Sequence, residues 1–137
     1  MRIPNIFMVV DDDRTTTMLC NHALSRFAKE SLIKLYTNPE TALKAIEEEY
    51  NKKDVTLSTV LFLDINMPHM NGWEFLEVFK NFNEDIQKHF AIYMLSSSID
   101  IRDKEKAEGN PLVSGFISKP LTTDVLNKVF YPVKHKL

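Results

Sequence analysis

The sequence predicts an α/β domain, a doubly wound five-stranded parallel sheet with helices on both faces. Three observations carry this. Short, continuously apolar runs recur along the chain, as expected of strands buried on both faces. Between them lie segments with apolar residues at i, i+3, i+4 and i+7, the stripe of an amphipathic helix. The two patterns alternate as βα units do, and right-handed crossovers leave few topologies for them.

The elements follow in order. Ile6, Phe7, Met8, Val9 and Val10 form the first apolar run. Cys20, Ala23, Leu24 and Phe27 mark a helix from about Thr15 to Lys29. Residues 31–36 are a second strand, with Leu32, Ile33 and Leu35 apolar. Asn38-Pro39 opens a helix, because Asn caps and Pro suits the first turn. Its buried stripe is Ala42, Leu43, Ile46 and Tyr50, and residues 47–49 are a solvated acidic face. Residues 60–63 are a third strand; after the loop 64–71, Gly72, Phe75, Leu76 and Phe79 mark a third helix. Residues 91–95 are the fourth strand, 100–108 a weakly periodic fourth helix, and Phe116-Ile117 a short fifth strand. Thr122 or Thr123 caps a fifth helix with Val125, Leu126, Val129 and Phe130 inward.

Composition narrows the function. The 137 residues, 44% of them hydrophobic, suit one domain over residues 1–137. With 17 Lys+Arg against 19 Asp+Glu the formal charge is −2, no footprint for direct nucleic-acid binding. Three glycines and six prolines exclude collagen-like and low-complexity chains. The single cysteine, Cys20, has no internal disulfide partner, which suits a reducing compartment. No apolar run approaches the roughly 18 residues of a spanning helix. Asp11, Asp12 and Asp13 end the first run too early for a signal peptide. A cytoplasmic location away from membranes is therefore expected.

In a parallel sheet all carboxyl ends lie along one edge, where open α/β sheets carry their sites. Strand one runs into Asp11-Asp12-Asp13, strand three into Asp64, strand four into Ser96-Ser97-Ser98, and strand five into Ser118-Lys119-Pro120. Carboxylates, a hydroxyl and an ammonium thus converge. Each pair of like charges 4 Å apart costs roughly 4 kcal/mol at an effective dielectric near 20, so something positive must compensate. Lys119 supplies one charge. A hard divalent cation with oxygen ligands supplies two, and Mg²⁺ is the natural choice. Such a site suits phosphoryl transfer to a carboxylate.

Taken singly, these residues have plainer readings. Asp13 is most simply a helix cap or a loop residue, Lys119 a surface lysine, and residues 96–98 a loop able to cap the next helix. His22, His69, His89 and His135 share no ligand spacing. Four sites in chain order, each at the correct end of its strand, outweigh those readings.

The motifs Met8-Val9-Val10-Asp11-Asp12-Asp13 and Leu61-Phe62-Leu63-Asp64-Ile65-Asn66-Met67-Pro68-His69-Met70-Asn71-Gly72 carry a resemblance. Tyr93-Met94-Leu95-Ser96-Ser97 and Gly115-Phe116-Ile117-Ser118-Lys119-Pro120 complete it. The chain resembles, over about residues 5–131, the receiver domain of two-component response regulators, the CheY-like family. The resemblance implies a flavodoxin-like (βα)5 fold with strand order 2-1-3-4-5, an order given for CheY itself; with the chain ending soon after the fifth helix, no output domain is expected. It also implies that Asp64 accepts a phosphoryl group from a phosphohistidine of a sensor histidine kinase or phosphotransfer protein. Asp12 would hold Mg²⁺ with Asp64 and the carbonyl of Asn66, and Asp11 would bind the metal or its water. Ser96 would contact the phosphoryl oxygen, Lys119 would pair with it through a loop containing a cis bond to Pro120, and Phe116 would be the aromatic switch. Ser96 stands for the commoner Thr, Phe116 for Tyr, and Ser97 for a smaller residue.

The expected output is a changed surface of the fourth helix, fifth strand and fifth helix, read by a downstream protein. A monomer or weak dimer is expected. Two rivals stand beside this reading. An aspartyl-phosphate phosphohydrolase would place a second Asp where Asn66 stands. An interaction domain working without phosphorylation would take no label. A nucleotide site lacks its Gly-rich loop after strand one.

Overall fold

A computed structural model describes residues 3–51, 57–98 and 100–132. The strands are β1 (Ile6–Val10), β2 (Leu32–Tyr36), β3 (Thr59–Asp64), β4 (Phe90–Ser96) and β5 (Val113–Ser118). All pairings are parallel, in the order β2-β1-β3-β4-β5. The predicted fold class and strand order are therefore observed.

The central strands are apolar without interruption because each feeds two cores. Ile6, Met8 and Val10 of β1 join Leu61 and Leu63 of β3 and Ile92 and Met94 of β4 on one face. Phe7 and Val9 join Val60, Phe62, Tyr93 and Leu95 on the other. Helices α1 (Arg14–Phe27) and α6 (Thr123–Phe130) cover this second face with Cys20, Leu24, Leu126 and Phe130. The first face is covered by α2 (Pro39–Glu49), α3 (Gly72–Phe79) and α5 (Ile101–Glu108), with Leu43, Ile46, Phe75, Phe79 and Ala107. Phe7, completely buried, stacks on Phe62 at 6.1 Å and meets Phe130 edge-on at 5.8 Å. Burying such a side chain stabilises by about 1.5–3 kcal/mol.

The helix starts obey capping chemistry. Asp13 accepts from Thr15 N at 2.9 Å, so of its two plain readings it is the cap. Asn38 accepts from Glu40 N, with Pro39 in the first turn. Asn71 and Glu74 form a reciprocal capping box at the start of α3. Of the two threonines offered for the last helix, Thr122 is the cap.

The structure departs from expectation in several places. Helix α1 runs 14–27 rather than 15–29, ending where Ala28 N bonds Leu24 O. An additional turn of helix, α4 (Glu84–Gln87), lies between α3 and β4; four residues are too few for a periodic stripe. The fourth predicted helix is α5, and Asp100 lies outside it as its cap, a role that residues 96–98 do not take. Strand β5 extends well beyond Phe116-Ile117, with a register shift opposite Ile92/Tyr93. Strand β2 is an edge strand with Leu32 and Leu35 exposed, so its apolar residues are only partly used. Among the described residues, no helix is long and apolar enough to cross a membrane.

Candidate functional site

The strand register sets the site. Val10 lies beside Leu63, and Asp64 beside Leu95, so Asp11, Asp64 and Ser96 emerge from adjacent strands at one edge. Backbone bonds hold the exits in line: Asp11 N to Tyr36 O at 3.0 Å, Ile65 N to Leu95 O at 3.1 Å, and Lys119 N to Ser96 O at 2.7 Å. The bond from Lys119 to Pro120 is cis, as the resemblance implies.

The three consecutive aspartates separate by role. Asp11 is completely buried, Asp12 is exposed and Asp13 caps α1. Oxygens of Asp11, Asp12 and Asp64 all lie within 4.8 Å of one another. Lys119 reaches into this cluster from β5. Its Nζ stands 2.7 Å from Asp11 Oδ2 and donates to Asp64 Oδ1 at 3.0 Å. Asp64 Oδ1 also accepts from Asn66 N at 3.3 Å, which brings the exposed Asn66 backbone to the same pocket. Asp11 Oδ1 accepts from Asp13 N at 2.9 Å. Asp11 Oδ2 sees the ammonium only as an ion pair, with no directed hydrogen-bond donor.

Asp64 is buried, its side chain 5% exposed. Burial pushes its carboxyl up to about 6, against the hydrogen bond from Lys119 and with the charge of Asp11. Among the described residues its Oδ2 accepts no hydrogen bond, yet it is not among the fully buried orphans. One carboxylate oxygen is thus fixed and the other left open. Burial works against the charge of Lys119, but the ion pair with Asp11 and the hydrogen bond to Asp64 outweigh it and hold the ammonium above the usual lysine range.

The donor set fits a hard divalent cation. Three carboxylates face one ammonium, and a buried oxygen of Asp11 lacks a directed donor. Asp11, Asp12, Asp64 and the carbonyl of Asn66 are the residues that would hold it.

Ser96 is buried at the end of β4, but its hydroxyl is turned to its own loop. It donates to Ser98 O and accepts from Ser98 N at 3.2 Å, and among the described residues it makes no bond to the carboxylates. Phe116, beside Met94 in the sheet, is half-buried against the α2/α3/α5 core and lines a surface pocket with Ala107 and Val113. Sequence reading places Gly72 at the start of the third helix but misses what it does for the site. A Cβ there would lie 2.6 Å from Asp64 O and 2.9 Å from Met94 Cε, so the start of α3 packs on the acceptor's own backbone only because the residue is glycine. Gly72 N also donates to Ile65 O at 2.8 Å. Its place directly after the loop from Asp64 is the one signal that could have found it.

Fold and site define a doubly wound α/β domain with an acidic cluster and a lysine at the carboxyl edge of its sheet. The chain matches the family model "Response regulator receiver domain" over residues 7–131 and belongs to that family. A two-component response regulator from Cytophaga hutchinsonii is 31% identical, with a TM-score of 0.83 over 94% of this chain and 96% of that one. A response regulator receiver protein from Dyadobacter fermentans is 27% identical, with a TM-score of 0.79 over 93% and 98%. The chemotaxis protein CheY4 of Vibrio cholerae, 20% identical over 93% and 96%, shares the fold with a TM-score of 0.72. No curated protein shows a significant match.

Proposed function

We propose that this receiver accepts a phosphoryl group on Asp64 from a phosphohistidine of a sensor kinase or phosphotransfer protein, in a Mg²⁺-dependent reaction. The observation that carries the reading is the divided Asp64 carboxylate, with Oδ1 held by Lys119 and Asn66 N and Oδ2 open. Oδ2 attacks phosphorus in line, the P–N bond breaks, and its electron pair leaves on the imidazole, which takes a proton. Lys119, already at the pocket, pairs with the phosphoryl oxygens. A bound divalent ion would neutralise charge on the same oxygens.

The switch follows from what the new group attracts. It adds about −1.5 to −2 charges, and the Ser96 hydroxyl exchanges its bond with Ser98 for a phosphoryl oxygen. The loop after β4 shifts, Phe116 moves inward, and the α5-β5-α6 surface changes for a downstream protein. Hydrolysis of the acyl phosphate resets it. The domain therefore acts as a cytoplasmic signalling module, catalysing only its own phosphorylation and dephosphorylation.

Phosphotransfer from radiolabelled histidine kinases tests this. Label should move to the wild type in Mg²⁺ and not to Asp64→Asn. Many turnovers of a phosphate ester would instead indicate a phosphohydrolase, and no label from any donor an interaction domain.

A further inference from the structure

Helix α5, directly after the loop that carries Ser96, is weakly fastened. Ala107 is its one buried residue, and Ile101 at its start is 67% exposed. Towards its far end, a groove of about 510 Å³ separates it from α3, lined by Leu76, Lys80, Lys106 and Leu112 among others. One set of side chains bridges the gap. Trp73 of α3 donates through its indole Nε1 to Asp103 Oδ1 at 3.3 Å. The ammonium of Lys106 lies 5.2 Å from the centre of the same indole. Asp103 and Lys106 are three apart on α5 and so share one face. The opposite anchor is tied to the acceptor loop, because Trp73 follows Gly72, which packs on Asp64 O and bonds Ile65 O.

We propose that Trp73, through Asp103 and Lys106, clamps α5 in its resting position and sets how readily the domain moves to its activated arrangement. The effect on switching rests on Asp64 being the phosphoacceptor; the clamp does not. A charge-assisted hydrogen bond and a cation–π contact on one ring are the interactions to be broken when α5 moves. Trp73 is here a positioning residue, acting on the site through the helix it holds.

The test compares wild type, Trp73→Phe, Asp103→Ala and the double variant. Phe keeps a ring in place and removes the indole donor; Asp103 is only half-buried, on a helix with one buried residue, so its variant still reads the clamp should the other misfold. Hydrogen exchange should show α5 amides opening roughly tenfold faster in each single variant, with β1 and β3 unchanged. Labelling of Asp64 by acetyl phosphate should speed up about fivefold, and the double variant should add little to either single one. Unchanged α5 protection overturns the clamp. Faster exchange with an unchanged labelling rate overturns its role in switching. A wild type that takes no label overturns the receiver reading, and with it the switching role, while the exchange result still decides whether the clamp exists.

Discussion

Lys119 Nζ stands 2.7 Å from Oδ2 of Asp11, a carboxylate with no solvent exposure. The same ammonium also serves Asp64, so two buried negative charges depend on one positive one. Removing one partner of a buried pair costs about 3–5 kcal/mol. Lys119→Met should therefore destabilise by about 3 kcal/mol at about pH 8, and less at about pH 5, where Asp64 can take a proton. Urea unfolding at the two pH values measures the difference.

Asp64 gives the metal-free protein a pH dependence of defined sign. Its folded carboxyl is raised from 3.8 to about 6 by burial first. The folded state thus holds the proton more tightly than the unfolded chain. This contribution to stability is complete below about pH 4 and is lost as pH rises through about 6. A cation ligated by the carboxylate favours the ionised form, so the rise in Tm given by millimolar Mg²⁺ should be small at about pH 5 and larger at about pH 7.5. Chelation should abolish it, and Asp64→Asn should flatten both trends.

Gly72→Ala tests the contact between α3 and the acceptor loop. The added methyl would meet Asp64 O at 2.6 Å, Met94 Cε at 2.9 Å and Ile65 Cα at 3.1 Å. Two of these are backbone atoms with little room to yield. The expected cost is about 1–3 kcal/mol, read from denaturant midpoints, with slower labelling of Asp64 because its own backbone must shift.

Cys20 lies in the α1/α6 core, and burial first, then the charge of Asp11, push its thiol up to about 11. The thiolate is the reactive form. A thiol reagent should therefore modify the native protein only as fast as it opens, with the rate rising in urea in step with unfolding. Because the folded thiol is raised above its usual 9.0, stability from this group holds below about pH 9 and falls as pH climbs towards 11.

The parts of the fold legible in the sequence are those where one local signal suffices. β1, β3 and β4 have two buried faces, so a bare apolar run identifies them. Asn38-Pro39 and the stripe from Ala42 to Tyr50 define α2 from its first residue. Elements with mixed surroundings are less legible. β2 leaves Leu32 and Leu35 in solvent at the sheet edge, and β5 is interrupted by Ser114 and Gly115, where a Cβ on Gly115 would meet the Tyr93 ring at 2.9 Å. At the site, strand-end position alone brings Asp11, Asp12, Asp64 and Lys119 to one place. The cap role of Asp13 is local, but the division between Asp11 and Asp12 is not encoded locally, since it depends on which side chain faces Lys119. The Trp73–Asp103 bond spans 30 residues and leaves no pattern in the sequence.

The most direct measurement is the mass of the protein after incubation with acetyl phosphate and Mg²⁺, with the modified residue mapped by trapping the acyl phosphate. One phosphoryl group per chain is expected, on Asp64, lost on standing, absent without the divalent ion and absent in Asp64→Asn. An adduct that persists in Asp64→Asn, or an unmodified wild type with the metal bound, would contradict it.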